Sequence, residues 1–229
     1  MAENSKIQWT DHTYNPWHGC IKVSPGCKFC YMYRDKKRYG QDPTIVVRSK
    51  TTFHDPLKWK EPARVFTCSW SDFFIEQADP WREEAWDIIR RTPHLTYQIL
   101  TKRPERIIEH LPTDWGMGYP NVWLGVSGET SGWFVKRWRI LREIPAEKRF
   151  LSLEPLLGSV ESGLQSELWE YCSEVVWPDW IIAGGETGRP SEIRFTDNQW
   201  LREIRDHCQR AGIPFFLKQI TENGRSIPF

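Results

Sequence analysis

The chain lacks a long hydrophobic run: no apolar stretch in its 229 residues approaches the roughly 20 that cross a bilayer. Its first residues, MAENSKIQW, are polar and lack the apolar core of a secretion signal. We therefore expect a protein that does not enter a membrane and that works in the cytoplasm.

The sequence also has no strong excess of charge and no low-complexity or Ser/Gly linker. Its formal net charge is +1, whereas proteins held to nucleic acid mainly through phosphates usually carry a larger basic excess. A nucleic-acid contact would therefore need a local patch. With 39% hydrophobic and 27% charged residues, the composition predicts one domain over residues 1–229. Most of the 14 Trp are expected to pack in its core.

Six short apolar runs, rich in β-branched and aromatic residues, predict buried strands. They are Arg64–Ser69, Leu95–Thr101, Asn121–Val126, Arg149–Leu153, Asp179–Gly184 and Ile213–Lys218. Helical patterns fill most of the gaps: Pro80–Arg91 with Asp79 as its N-cap, Pro104–Leu111, Gly132–Ile144, and Asp197–Ala211 before Gly212.

Strands that alternate with helices predict an α/β fold with a parallel sheet. The starts of the runs lie roughly 30 residues apart, which is the size of one βα unit. With a further strand before the first cysteines, the pattern favours a partial or complete β/α barrel. The alternative is an open doubly wound sheet.

Polar residues follow nearly every predicted strand, where a barrel carries its chemistry. They are Ser69, Ser71 and Asp72; Thr101, Lys102 and Arg103; Ser127 and Glu129; Glu154; Glu186; and Lys218 with Gln219. Each alone is unremarkable, because such residues often cap helices. Their recurrence predicts one polar pocket, in which Lys102, Arg103, Glu154 and Lys218 are candidates for substrate binding. Lys102, Arg103 and Arg106 would clamp a carboxylate or phosphate, or pair with Glu154 instead.

Three of the six cysteines crowd into one loop, residues 18–31, with the spacing C-x6-C-x2-C at Cys20, Cys27 and Cys30. Thiolates are strong, soft ligands for iron and zinc, and structural disulfides are rare in a reducing compartment. Three interpretations compete: a [4Fe–4S] cluster with one open iron, a zinc site completed by His18, or unligated cysteines. The scattered Cys172 and Cys208 are interpreted as structural. Cys68 is interpreted as a small buried hydrophobic residue, with a role in the site as the alternative because it stands at a strand end.

Phe29 places an aromatic residue directly before Cys30, the last cysteine of the loop, and Tyr31 follows. In this feature the chain resembles the radical S-adenosylmethionine (SAM) superfamily. The first spacing is six residues rather than the common three, which marks a divergent branch. The chain also resembles a phage-associated family with the motif GCxKVSPGCxxCY. The matching segments are Trp9–Pro16, Gly19–Tyr31, Ser71–Phe74, Leu100–Arg106, Gly125–Glu129, Ser152–Gly158 and Gly184–Gly188.

The resemblance implies an iron–sulfur enzyme that uses two cofactors, a [4Fe–4S] cluster and SAM. The three loop cysteines would hold the cluster, and its fourth iron would bind SAM. An electron donor such as flavodoxin or ferredoxin would then drive cleavage of SAM to a 5′-deoxyadenosyl radical, which abstracts hydrogen from a substrate. A phage-type family suggests a nucleobase, nucleotide or modified DNA as that substrate, and the host cytoplasm as the location.

The resemblance also implies a set of SAM contacts. These are the Phe29 backbone beside adenine; Ser69, Ser71 and Asp72 at the amino group; and Ser127 and Glu129 at the ribose hydroxyls. Glu186, in Gly184-Gly185-Glu186, would bind SAM or substrate, or form a salt bridge to Arg189 or Arg194 instead.

Two other functions stay open. A zinc-stabilised nucleic-acid-binding module without catalysis would use His18 as its fourth ligand, with the basic run Arg34, Lys36, Lys37 and Arg38 near the loop. A metal-dependent hydrolase is less favoured, because no His falls at a predicted strand end.

Overall fold

The computed structural model describes residues 3–168, 176–222 and 225–228. The chain divides into two compact units, each assembled from separate segments. The first consists of Met1–Val23, Cys30–Gly125 and Ile144–Glu147, and the second of Ser24–Phe29, Val126–Glu143 and Lys148–Phe229. The cysteine loop therefore contributes to both units, with Cys20 and Cys30 in the first and Cys27 in the second. Cys172 lies outside the described residues.

The first unit carries five strands and two α-helices among the residues described. They are β1 (His12–Tyr14), β2 (Trp17–His18), α1 (Tyr31–Arg38), β3 (Val47–Arg48), β4 (Ala63–Thr67), α2 (Asp79–Arg91) and β5 (Leu95–Thr101). Strand β6 (Val122–Ser127) begins in this unit and ends in the second.

The described part of the second unit alternates strands and helices. Its elements are α3 (Ser131–Leu141), β7 (Lys148–Leu153), α4 (Glu161–Glu167), β8 (Trp180–Gly184), α5 (Asn198–Ala211), β9 (Phe215–Glu222) and β10 (Arg225–Pro228).

The main sheet has eight strands in the order β1-β4-β5-β6-β7-β8-β9-β10. The pairs β1–β4, β4–β5, β7–β8 and β8–β9 are parallel, whereas β9 and β10 form an antiparallel hairpin. Strands β2 and β3 form a separate two-stranded sheet. The order follows the chain without the reversal that defines a doubly wound sheet. The fold is thus α/β with a mostly parallel sheet, consistent with a partial β/α barrel.

All six predicted strands are present as β4 to β9, with ends within a few residues of the prediction. The strand expected before the cysteines is β1. Among the described residues, no helix is long and apolar enough to span a bilayer.

Two helix predictions need correction. Asp79 is the first residue of α2 rather than its N-cap, since it has helical angles and its carboxylate pairs with Arg82 and Arg106. The segment after Pro104 forms two short 3-10 turns, Pro104–Arg106 and Ile108–His110, instead of a helix. Leu111 there is extended, as the residue before a proline prefers.

Large aromatic side chains fill the core of the first unit, as expected for the tryptophans. The ring centroid of Trp86 lies 4.8 Å from that of Phe73 and 5.5 Å from that of Trp115. Trp17 packs on the same Phe73 at 5.2 Å. In the second unit, Trp138 is fully buried on α3.

The residues that flank α5, Asp197 and Gly212, lead to a prediction about the stability of the fold. Asp197 caps its start by accepting from the Gln199 amide at 2.8 Å, and Gly212 after its end has a φ of +68° with open space around its Cα. Gly212→Ala is expected to lower the free energy of unfolding by about 1 kcal/mol, because only glycine adopts this conformation without strain.

The matched control is Gly132→Ala on α3, which also has open space but is not left-handed. It should be neutral or stabilising, since alanine is the better helix former. Urea titrations of both variants check the pair, and equal effects would contradict the assignment.

Candidate functional site

Residues after β4 hold the backbone around Cys20. The Gly19 amide donates to the Trp70 carbonyl at 3.0 Å, and the Ser71 hydroxyl donates to the Gly19 carbonyl at 2.6 Å. Gly19 has a φ of +104°, and a Cβ there would lie 2.2 Å from the Ile45 carbonyl oxygen. Glycine is therefore required where the chain enters the cysteine loop.

Asp72 is the hub of this region. Its carboxylate accepts from the Phe74 amide at 3.0 Å, the Thr101 hydroxyl at 2.7 Å, the Lys102 amide at 3.0 Å and Arg103 Nη1 at 3.1 Å. It thus joins the segment after β4 to the end of β5.

Arg103 links Asp72 to Cys20, the first cysteine of the loop. It is 8% exposed and Asp72 is 5% exposed, so the two form a buried ion pair. Arg103 Nη1 also lies 3.9 Å from the Cys20 sulfur, and Nη2 donates to the Ile21 carbonyl at 2.7 Å. Burial opposes the charge, but Asp72 and Cys20 together raise the pKa of the guanidinium above its ordinary value.

The residues after β4 that the sequence predicts as SAM contacts form hydrogen bonds with other residues of the same chain. Ser69 exchanges hydrogen bonds with the Asn15 side chain at 2.9 and 3.3 Å, and its carbonyl accepts from the Tyr31 hydroxyl. Together with Ser71 and Asp72 it holds the start of the cysteine loop and α1. Direct contact of these three residues with SAM stays a prediction.

In the second unit, Glu129 holds the segment that carries Cys27. Its carboxylate accepts from the Ser24 hydroxyl and from Arg137 Nη1, the latter at 2.8 Å. Glu129 has no exposed surface. A Cβ on Gly26 would lie 2.4 Å from Glu129 Cγ, so the backbone approaches the carboxylate as closely as glycine allows.

Arg194 holds the other side of the same segment. It binds both oxygens of Glu186, at 2.7 and 2.5 Å, and donates to the Pro25 carbonyl at 3.0 Å. Its guanidinium carbon lies 5.3 Å from the Phe29 ring centroid. The salt bridge was the alternative that the sequence left for Glu186, and the structure confirms that interaction. Glu186 therefore positions the Cys27 segment through Arg194.

Cys30 stands at the start of α1, where its carbonyl accepts from the Arg34 amide at 3.3 Å. Further along α1, Lys36 is buried and donates to the Ile45 carbonyl at 3.3 Å. Burial lowers the pKa of Lys36. The predicted basic run is thus divided, because only Lys37 and Arg38 are exposed at its end.

Two of the substrate candidates form an ion pair: Glu154, which follows the end of β7, and Lys218, which lies within β9. Lys218 Nζ lies 2.5 Å from Glu154 Oε1, and the Gln219 amide donates to the same oxygen at 2.8 Å. Arg103 and Arg106 pair with Asp72 and Asp79 instead of Glu154.

Cys20, Cys27 and Cys30 are half-buried and form no disulfide, and three thiolates are the donor chemistry that an iron–sulfur cluster needs. Within the described residues, no group of three His, Cys, Asp or Glu side chains that could hold an ion is present. The residues fit the cluster by donor type.

The remaining described cysteines differ from the loop. Burial raises the pKa of the Cys68 thiol well above its ordinary value, with Asp72 adding to the effect. Burial likewise raises the pKa of Cys208 to about 12. Both therefore stay protonated near neutral pH, in line with structural roles.

His18 keeps the zinc alternative open. Its Nδ1 is buried without a hydrogen-bond partner in the described part of the chain. Burial, and secondarily Lys36, lowers the pKa of the ring, and the neutral imidazole is the form that binds metals.

Arg137 was not among the site residues expected from the sequence. It lies on the buried face of α3 between Phe134 and Leu141. A charged residue at that helical position signals a buried ion pair, and the carboxylate eight residues earlier is its partner, Glu129.

A family model described as a protein of unknown function, DUF5131, matches residues 4–226. The chain therefore belongs to this family. A search of curated proteins gave no match.

The contact of Arg103 with Cys20 gives a testable prediction. Arg103→Gln removes the cation beside the sulfur, so the thiolate loses stabilisation. We expect the alkylation rate of Cys20 by iodoacetamide at neutral pH to fall roughly three- to tenfold, as a contact worth about 1 kcal/mol implies. Peptide mass spectrometry follows that residue.

Arg106→Gln is the control, since it removes an arginine from the same turn whose charge is directed to Asp79. Circular dichroism first establishes that both variants are folded. Equal Cys20 rates in the two folded variants would contradict the electrostatic role.

Proposed function

We propose that this member of the DUF5131 family is an iron–sulfur enzyme of the radical SAM type, in which the thiolates of Cys20, Cys27 and Cys30 hold a [4Fe–4S] cluster. The observation that carries the proposal is the placement of Cys20 beside Arg103, a buried cation fixed by Asp72. Such a cation stabilises a thiolate, and the thiolate is the form that binds iron. A mostly parallel α/β fold with polar residues at its strand ends supports it further.

When bound, a cluster of this kind supplies the single electron that cleaves the sulfonium of SAM and so starts hydrogen abstraction. The protein supplies orientation and charge. Arg103 offsets negative charge that the thiolates bring, while Asp72 keeps the guanidinium in place. Arg194, fixed by Glu186, fixes the backbone at Pro25 and so the segment of Cys27.

Lys218 and Glu154 are the proposed polar contacts for substrate. Their side chains are 25% and 15% exposed, so the pair is screened from solvent but not sealed. A paired lysine and carboxylate offer a hydrogen-bond donor beside an acceptor. Such a pair can bind a polar substrate group that carries no net charge. A nucleobase, nucleotide or modified DNA is the proposed substrate class.

The proposal predicts the result of anaerobic reconstitution with iron and sulfide. The protein should take up about four irons per chain and cleave SAM when dithionite is added. Cys20→Ala, Cys27→Ala and Cys30→Ala should each lose most of the iron. Iron analysis and chromatography of the SAM products give the measurement.

Cys208→Ala is the matched control, because this thiol is buried on α5 and should leave the iron content unchanged. Stoichiometric zinc without SAM cleavage would contradict the proposal and favour the zinc-stabilised nucleic-acid-binding module. His18→Ala separates the two, since it should release zinc in the second case and retain iron in the first.

A further inference from the structure

The sheet in the first unit has two distinct faces. Residues paired across parallel strands point to the same side, and the side alternates along each strand. Tyr97 faces α2, because its hydroxyl lies 2.7 Å from that of Thr92 at the end of this helix. The opposite face carries the row Thr13, Phe66 and Gln98, which are paired across β1, β4 and β5.

Gln98 stands out in this row. Its side chain has no exposed surface, and neither its amide nitrogen nor its oxygen has a hydrogen-bond partner among the residues that the structure describes. A buried amide without partners is destabilising, since it has given up its bonds to water. Such a group is satisfied in a folded protein by a buried water or by a ligand.

Two other side-chain amides, one buried and one half-buried, are satisfied. Gln219 donates to Glu154 and to the Gly185 carbonyl, and Asn121 donates to three backbone carbonyls between 3.1 and 3.3 Å. Asn198 is an intermediate case, since its buried Oδ1 has no hydrogen-bond partner among the described residues. Gln98 lacks a partner at both ends of its amide.

The position of the row fits ligand binding. Thr13 and Phe66 each lie one residue before the end of their strand, and Gln98 lies three residues before the end of β5. Ligands of parallel sheets bind at the carboxyl ends of the strands. Exposure along the row falls from 8% at Thr13 and 9% at Phe66 to zero at Gln98. The row thus has a partly accessible end and a closed end.

We propose that Gln98 recognises the edge of a nucleobase. A primary amide presents a donor beside an acceptor in one plane, which matches an edge such as N6 and N7 of adenine. Phe66 in the same row is aromatic and packs against Trp9, with ring centroids 4.6 Å apart. No side chain of the row is charged, which favours a neutral planar group over a phosphate. The base belongs to a substrate or to SAM, and only the choice between these sources rests on the proposed function.

The test compares Gln98→Met with the wild-type full-length chain. Methionine has nearly the same shape but no amide. We expect isothermal titration with adenosine, guanosine, cytidine and thymidine to show binding of at least one by the wild type, weakened roughly ten- to hundredfold in the variant. Titration with SAM forms a separate arm, and loss in that arm alone assigns the base to SAM.

A thermal readout separates recognition from packing. Gln98→Met should keep or raise the melting temperature, because it removes an unsatisfied amide. Gln219→Met, the same change at a satisfied amide, should lower it. Gln165→Met, on the exposed surface of α4, is the control for nucleoside binding.

Two results would overturn the inference: wild-type protein that binds neither SAM nor any of the nucleosides, or unchanged binding in Gln98→Met. Iron content of the same preparations is read independently. Lost base binding with retained iron supports the inference, whereas a protein without iron that still binds a nucleoside through Gln98 refutes only the proposed cluster.

Discussion

The ion pair between Asp72 and Arg103 is the interaction on which the cysteine region depends. Both side chains are nearly buried, and the carboxylate receives four hydrogen bonds from the segments after β4 and β5. Removing one partner of such a pair costs about 3–5 kcal/mol, because an unpaired charge stays buried. The arginine therefore has a fixed position, and its free edge meets the Cys20 sulfur and the Ile21 carbonyl.

The second unit contains two ion pairs of the same kind. Glu129 and Glu186 are buried carboxylates, each paired with an arginine. In the first pair, Glu129 also accepts a hydrogen bond from the Ser24 hydroxyl. In the second pair, Arg194 also donates to the Pro25 carbonyl. The segment from Ser24 to Cys27 consists of small residues and has little hydrophobic area to bury, so directional charge-assisted bonds hold it in place.

The sequence predicted what depends on local pattern. Apolar runs located β4 to β9, and Asp197 and Gly212 located the ends of α5. The partners of the strand-end carboxylates were harder to predict, because Asp72 and Arg103 are 31 residues apart. Glu186 and Arg194 are only eight apart, and there the salt bridge was anticipated. Gln98 was hidden inside LTYQILT, which was interpreted only as an apolar strand.

In the proposed function, three thiolates hold a cluster that leaves one iron open to SAM. Electron paramagnetic resonance of the dithionite-reduced, reconstituted protein tests it directly, with and without SAM. We expect a reduced-cluster signal that shifts when SAM is added, since SAM would become a ligand of the open iron. A metal whose positions are all filled by side chains, with no spectral response to SAM, would contradict it.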